Sequence, residues 1–143
     1  MIRCFSFSDL DQILETERRS FPKSPYDRTT LINLYWLYPE TFRVYLDTEG
    51  LIRGYIVFSQ DGHIISIAVH PQARRRGIGR ELIQEVIHYP KVKKVWAEVR
   101  KSNEGAQAFY RKMGFQTVGT IPNYYGNEDA WVIQWAPSTN EHL

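Results

Sequence analysis

The chain has 143 residues, 43% hydrophobic and 24% charged, the balance of a single globular domain long enough to bury about two thirds of its unfolded surface. A formal net charge of +2 is too small to imply nucleic acid by itself, and the single cysteine, Cys4, excludes an internal disulfide and a multi-Cys zinc site and fits a reducing compartment. No stretch approaches the roughly 20 apolar residues of a membrane span, and the first residues lack a leader pattern, so the expected setting is the cytoplasm, away from membranes.

Ile2 to Phe7 reads as a first strand, after which Ser8 or Asp9 caps a helix with Leu10, Ile13, Leu14 and Glu17 at helical spacing, ending near Ser20. A two-proline loop from Phe21 to Tyr26 leads to a short helix through Leu31, Leu34 and Tyr35 that stops before Pro39. Three strands follow, Thr41 to Leu46, Leu51 to Phe58 and Ile64 to Val69, with turns at Thr48-Glu49-Gly50 and Asp61-Gly62, forming an antiparallel meander. The nearly unbroken apolar run from Ile64 to Val69 predicts a central strand covered on both faces.

A helix then carries Ile78, Leu82, Ile83, Val86 and Ile87 on one side and stops at Pro90. Lys94 to Val99 forms another strand, in which Trp96, Glu98 and Arg100 share one face and Val95, Ala97 and Val99 the other. Asn103 caps a helix whose inner face is Ala106, Phe109, Tyr110 and Met113, and Gly114 suits a left-handed end. Strands from Phe115 to Ile121 and from Asp129 to Trp135 complete a domain over residues 1–136, with a polar tail over 137–143. The order β-α-α-β-β-β-α-β-α-β-β is that of an α/β fold, a mixed sheet with helices on its faces. A right-handed crossover around the helix after Val69 would pair its flanking strands in parallel and place a ligand at the C-terminal end of the first.

That crossover carries the most informative segment, Arg74-Arg75-Arg76-Gly77-Ile78-Gly79-Arg80. Gly77 and Gly79 let the backbone approach a ligand, the helix start presents free N–H groups and partial positive charge, and the arginines add formal charge. A phosphate cradle and a solvated basic loop both satisfy this pattern, as does a nucleotide or nucleic-acid module built on the arginines. The arginines alternate with glycines, not aromatics, which suits one diphosphate better than a polymer.

Arg74-Arg75-Arg76-Gly77-Ile78-Gly79 resembles the Arg/Gln-x-x-Gly-x-Gly/Ala signature of the GCN5-related N-acetyltransferase superfamily. Trp96-Ala97-Glu98-Val99-Arg100-Lys101-Ser102-Asn103, Phe109-Tyr110, Met113-Gly114-Phe115 and Asn123-Tyr124-Tyr125 are similar to the RimI-type branch, which acetylates protein N-terminal α-amino groups. The resemblance implies acetyl-CoA as cofactor and no metal. It implies that the backbone of Ile67, Ala68 and Val69 pairs with the pantetheine arm, that the segment from Arg74 to Arg80 holds the pyrophosphate, and that Asn103 contacts the arm. Glu98 would be the general base and Tyr110 the general acid beside the thioester sulfur, which also places Tyr110 against the cofactor. One departure stands out, since Phe21-Pro22 is followed by Lys23 where that branch often has Trp.

Chemically, a thioester is already activated, so the enzyme must supply a neutral amine, hold it in line and stabilise the leaving thiolate. An α-amino group with a pKa of roughly 7.7 to 8.0 needs only a modest base, whereas a lysine amine near 10.4 needs much more help. Phe21, Tyr26, Tyr124 and Tyr125 are candidates to line a slot for a peptide terminus, or to pack the end of the sheet. Glu98 alternatively pairs with Arg100 or Lys101 at the surface. His63, His70, His88 and His142 show no metal-ligand spacing, and His70, beside the cofactor loop, is a reserve base. Lysine, a polyamine or another small amine is an alternative acceptor, and the oligomeric state is left open.

Overall fold

The computed structural model describes residues 1–137. Among these residues four α-helices and seven strands follow in the predicted order: β1 (Ile2–Cys4), α1 (Leu10–Ser20), α2 (Arg28–Leu37), β2 (Phe42–Leu46), β3 (Ile52–Phe58), β4 (Ile64–Val69), α3 (Ile78–Ile87), β5 (Val95–Arg100), α4 (Glu104–Lys112), β6 (Gln116–Ile121) and β7 (Ala130–Trp135). Of the expected tail, the part from Ser138 onward lies outside the described residues.

The first strand is shorter than its apolar character suggests, because a one-turn helix over Phe7–Asp9 replaces its end. Asp9 drives the change: its carboxylate accepts the Ser6 N–H at 2.8 Å and both terminal nitrogens of Arg3 at 2.7 and 2.8 Å. Burial alone would raise the Asp9 carboxyl, but the Arg3 fork and the Ser6 N–H outweigh it and hold the group below the usual carboxylate range. Asp9 stands at the start of α1 as expected but makes no side-chain cap bond there, its carboxylate being turned to Ser6 and Arg3, whereas α2 starts on a cap the sequence reading did not name, Asp27 accepting the Thr30 N–H at 2.8 Å.

The sheet is not continuous. Strands β1-β2-β3-β4 form one antiparallel sheet and β5-β7-β6 another. The parallel pair expected around α3 shrinks to one bridge, His63 to Trp96, with the Trp96 N–H on the Gly62 carbonyl at 3.0 Å. A Cβ on Gly62 would stand 2.0 Å from the Lys94 carbonyl oxygen, so the two backbones touch at this point. Beyond it β4 and β5 separate.

This corrects the reading of Ile64–Val69. The strand is covered on both faces, Ile64, Ile67 and Val69 against one core and Ile65 and Ala68 against the other, but it ends its hydrogen-bonded sheet. The buried centre is β3, where Tyr55, Ile56, Val57 and Phe58 have no exposed surface. Helices α1 and α2 cover one side of it through Ile13, Leu14, Leu31 and Leu34, and α3 the other through Ile78, Leu82, Ile83 and Val86. Burial of these aliphatic side chains contributes roughly 1.5–3 kcal/mol each.

Candidate active site

The gap between β4 and β5 leaves main-chain groups free. His70 donates its N–H to the Arg53 carbonyl at 2.8 Å, and the antiparallel register sets Tyr55 opposite Ala68 and Ile56 opposite Ile67. Since hydrogen-bonded and open pairs alternate, Ala68 spends its N–H and C=O on β3, while Ile67 and Val69 turn theirs toward the gap. Two residues of the predicted trio are thus available to a ligand and one is committed to the sheet. The Val69 carbonyl already accepts Arg74 Nε at 3.2 Å and Ser20 Oγ at 3.4 Å.

The chain leaves β4 through a one-turn helix over Pro71–Ala73 that buries Ala73. Arg75 then takes φ 64° and Gly77 φ 80°, so the last residue before α3 is left-handed. A Cβ on Gly77 would meet nothing within 4 Å, and this glycine is needed for its backbone angle. Gly79 serves otherwise: a Cβ there would press within 3.0 Å of two Phe109 ring carbons, and its absence lets α4 approach the first turn of α3. The N–H groups of Ile78, Gly79 and Arg80 have no carbonyl one turn back within the helix, and the first such bond is Glu81 to Gly77 at 3.1 Å. Arg75, Arg76 and Gly77 are exposed around this start, so its free N–H groups stand beside positive charge at the surface.

Across the gap, the face of β5 that carries Trp96, Glu98 and Arg100 is half-buried, as strand alternation requires. Glu98 does not pair with Arg100 or Lys101. Arg100 binds Glu128 at 3.0 Å and lies 4.1 Å above the Tyr125 ring, and Lys101 reaches Asp129 at 3.5 Å. Glu98 instead meets His63 Nε2 with both carboxylate oxygens, at 2.9 and 3.0 Å, and accepts the Tyr124 hydroxyl on Oε1 at 3.1 Å. The His63 ring lies parallel to Trp96, centroids 5.1 Å apart. His63 is the residue that sequence reasoning left without a role. Its partner is 35 positions away, and no local pattern announces the pairing.

Tyr110 is 5% exposed, and its ring packs on Phe109 and Phe115. Burial, reinforced by Tyr125 and Glu98, pushes its phenol well above the ordinary value, so it stays protonated. Asn103 caps α4 by accepting the Ala106 N–H at 3.0 Å, leaving its amide nitrogen for other contacts. His70 is buried, its Nδ1 accepting the Gln72 N–H at 3.2 Å; burial and Arg53 push it down, and it serves the turn.

Among the four candidate wall aromatics, Tyr124 and Tyr125 meet edge to face at 4.9 Å. Burial, with Tyr124 next, pushes Tyr125 up to about 12. Phe21 is a partly exposed residue at the end of α1, and no ring contact joins it to the tyrosines among the described residues. What positions Tyr26 is a residue that helical spacing had placed on the inner face of α1. Glu17, 1% exposed, accepts the Tyr26 N–H at 2.9 Å and the Tyr55 hydroxyl at 2.5 Å, and Tyr55 also bonds Ser66 at 2.8 Å. Burial raises the Glu17 carboxyl against the pull of both donors.

Two cavities lie away from Glu98 among the described residues, and Tyr110 lines the second. One of about 470 Å³ sits between β1–β2 and the second half of α3, lined by Arg43, Glu81, Glu85 and His88 among others, at the sheet edge opposite β4. One of about 210 Å³ lies between α4 and the β6–β7 pair. Among the described residues no cluster of three or more His, Cys, Asp or Glu could hold a metal, and no helix is long and apolar enough to cross a membrane.

The chain as a whole has counterparts among known proteins. An uncharacterized N-acetyltransferase of Methanocaldococcus jannaschii is 38% identical over 138 residues, covering 91% of this chain and 87% of its own. An N-alpha-acetyltransferase of Sulfurisphaera tokodaii is 33% identical over 152 aligned residues, covering 92% and 90%. The crystal structure of the ribosomal-protein-S18-alanine N-acetyltransferase from Escherichia coli superposes with a TM-score of 0.79 at 25% identity, covering 100% of this chain and 97% of that one. Residues 9–115 match the family model of the acetyltransferase (GNAT) family, and the chain belongs to that family.

Proposed function

We propose that this protein is an acetyl-CoA-dependent N-acetyltransferase that modifies the N-terminal α-amino group of a protein or peptide, by direct attack in a ternary complex. The observation that carries the reading is the facing of two halves: the free N–H groups at the start of α3 and the open main-chain edge at Ile67 and Val69 on one side, the Glu98 carboxylate held by His63 and Tyr124 on the other. The relatives support the acceptor. The Escherichia coli protein is named for alanine, whose only amine is the α-amino group, and the Sulfurisphaera protein is named for N-alpha acetylation.

The residues present fit acetyl-CoA. Ile67 and Val69 would hold the pantetheine arm by strand-like pairing, the segment from Arg74 to Arg80 the pyrophosphate, and Asn103 the arm through its free amide nitrogen. When bound, the thioester supplies an acyl group activated toward nitrogen. Glu98, 12% exposed at its side chain, accepts the proton of the incoming ammonium. Tyr110 keeps its proton at working pH and donates it toward the departing sulfur. Tyr26, Tyr124 and Tyr125 bound the entry for the first residues of the acceptor. A cytoplasmic setting accords with this reading.

Incubation with labelled acetyl-CoA and peptides differing at their first two positions, with free lysine and spermidine as controls, tests it. Label on peptide α-amino groups is the expected result. Label on spermidine or lysine alone replaces the acceptor while keeping the cofactor, and absence of acetyl-CoA binding overturns the whole assignment.

A further inference from the structure

The contact between His63 and Glu98 does more than fill space. We propose that His63 is a positioning residue for the base, orienting the Glu98 carboxylate and setting its basicity according to the charge on the imidazole; this rests on the acetyltransferase reading above.

Nε2 stands almost equally far from both carboxylate oxygens, at 2.9 and 3.0 Å, so one N–H donor spans the group and fixes the plane of the carboxylate. The ring cannot swing away easily. It is stacked on Trp96 with an interplanar angle of 2°, and the neighbouring backbone is pinned where the two sheets touch, the His63 N–H donating to Ser59 Oγ at 3.0 Å and Trp96 donating to Gly62. The Tyr124 hydroxyl holds Oε1 from a third element, the β6–β7 loop. Among the described residues, the charged or titratable groups near His63 are Glu98 on β5, Tyr124 on that loop, Asp61, which accepts the Ser59 hydroxyl that the His63 N–H reaches, and Lys94, whose Nζ lies 5.6 Å from the centre of the Trp96 ring.

Imidazole alone among side chains ordinarily changes charge between about pH 5 and 8. Neutral, with its proton on Nε2, it donates to the carboxylate and leaves its negative charge largely intact. Protonated, it makes the same hydrogen bond but adds a full positive charge beside Glu98, which stabilises the carboxylate and weakens it as a base. Proton transfer from the acceptor is therefore faster when His63 is neutral. The N–H bond of the ammonium breaks, an O–H bond forms on Glu98, and the imidazole keeps its own proton throughout.

The test compares kcat/KM for wild type, His63→Gln and His63→Ala at pH values from 6 to 8.5, using one peptide the wild type acetylates. Because the ionisation of the acceptor amine is common to all three, it cancels in the ratio of wild type to variant. Gln can donate a similar bond but does not titrate, so His63→Gln retains activity within about threefold at pH 6, and wild type gains on it as pH rises. His63→Ala loses about tenfold or more in kcat across the range, with acetyl-CoA affinity by calorimetry unchanged. A ratio of wild type to His63→Gln that is constant with pH, or full activity in His63→Ala, overturns the proposal.

A second measurement needs no substitution at His63. In Glu98→Gln, the His63 ring signals followed by NMR should titrate at lower pH than in wild type, and an unmoved midpoint also overturns the assignment. The ratio can be measured with any amine the enzyme accepts, so a wrong acceptor class and a wrong role for His63 give separate results.

Discussion

The two walls of the groove are made of different material. The β4–α3 wall is a main-chain surface: the outward groups of Ile67 and Val69, a left-handed Gly77, and three N–H groups at a helix start. The β5 wall is a side-chain network in which Glu98, His63, Trp96 and Tyr124 hold one another, with Tyr125 fixed by Arg100. A main-chain site depends on backbone angles and tolerates exchange of most side chains. A side-chain site depends on the atoms themselves. The first wall suits a partner that never changes, the second an acceptor that differs between enzymes.

Substitutions sharpen this contrast. Glu98→Gln keeps the shape of the side chain and removes the proposed base, and should lower kcat by about a hundredfold or more while acetyl-CoA affinity is retained; a rate within threefold of wild type would remove Glu98 from the chemistry. Tyr110→Phe should cost about tenfold to a hundredfold in kcat. Its melting temperature should hold, because the hydroxyl makes no hydrogen bond to another described residue. Full activity in this variant would leave the departing sulfur to solvent.

The opposite wall should respond in binding, and less. Gly77→Ala meets no steric obstacle but must adopt φ near 80°, at a cost of about 1–2 kcal/mol, seen in calorimetry as weaker acetyl-CoA binding by roughly fivefold or more with kcat at saturation little altered. Arg75→Ala removes an exposed charge without changing the angle requirement, so acetyl-CoA affinity should fall by about threefold or less at moderate salt and not at all at high salt. Should the arginine variant prove worse than the glycine variant, this wall is held by charge, and the contrast between main-chain and side-chain construction fails.

The glycine-built wall was the more legible of the two from sequence. Gly77 at a helix entry, the alternation that puts Glu98 and Trp96 on one face, and the Asn103 cap are all local signals, read within a few residues. The element order followed from the same kind of pattern. What escaped were contacts between distant positions: His63 with Glu98, and Glu17 with Tyr55, 38 positions apart. Glu17 did leave a trace, a carboxylate in phase with Leu10, Ile13 and Leu14 on the buried stripe of α1, a placement that demands partners. The split between β4 and β5 left none. An apolar run announces burial on both faces, and Ile64–Val69 has that, yet hydropathy is silent on whether a strand's edge is paired.

The closure at Gly62 works like the rivet of a pair of scissors. One backbone crossing, too tight for any side chain, joins blades that diverge toward the proposed meeting place of amine and thioester. The angle between the blades is thereby decoupled from the loops at their tips. On the proposed function, residues at those tips can be exchanged to suit a new acceptor without altering how wide the jaws stand, whereas a methyl group at position 62 would pry them apart.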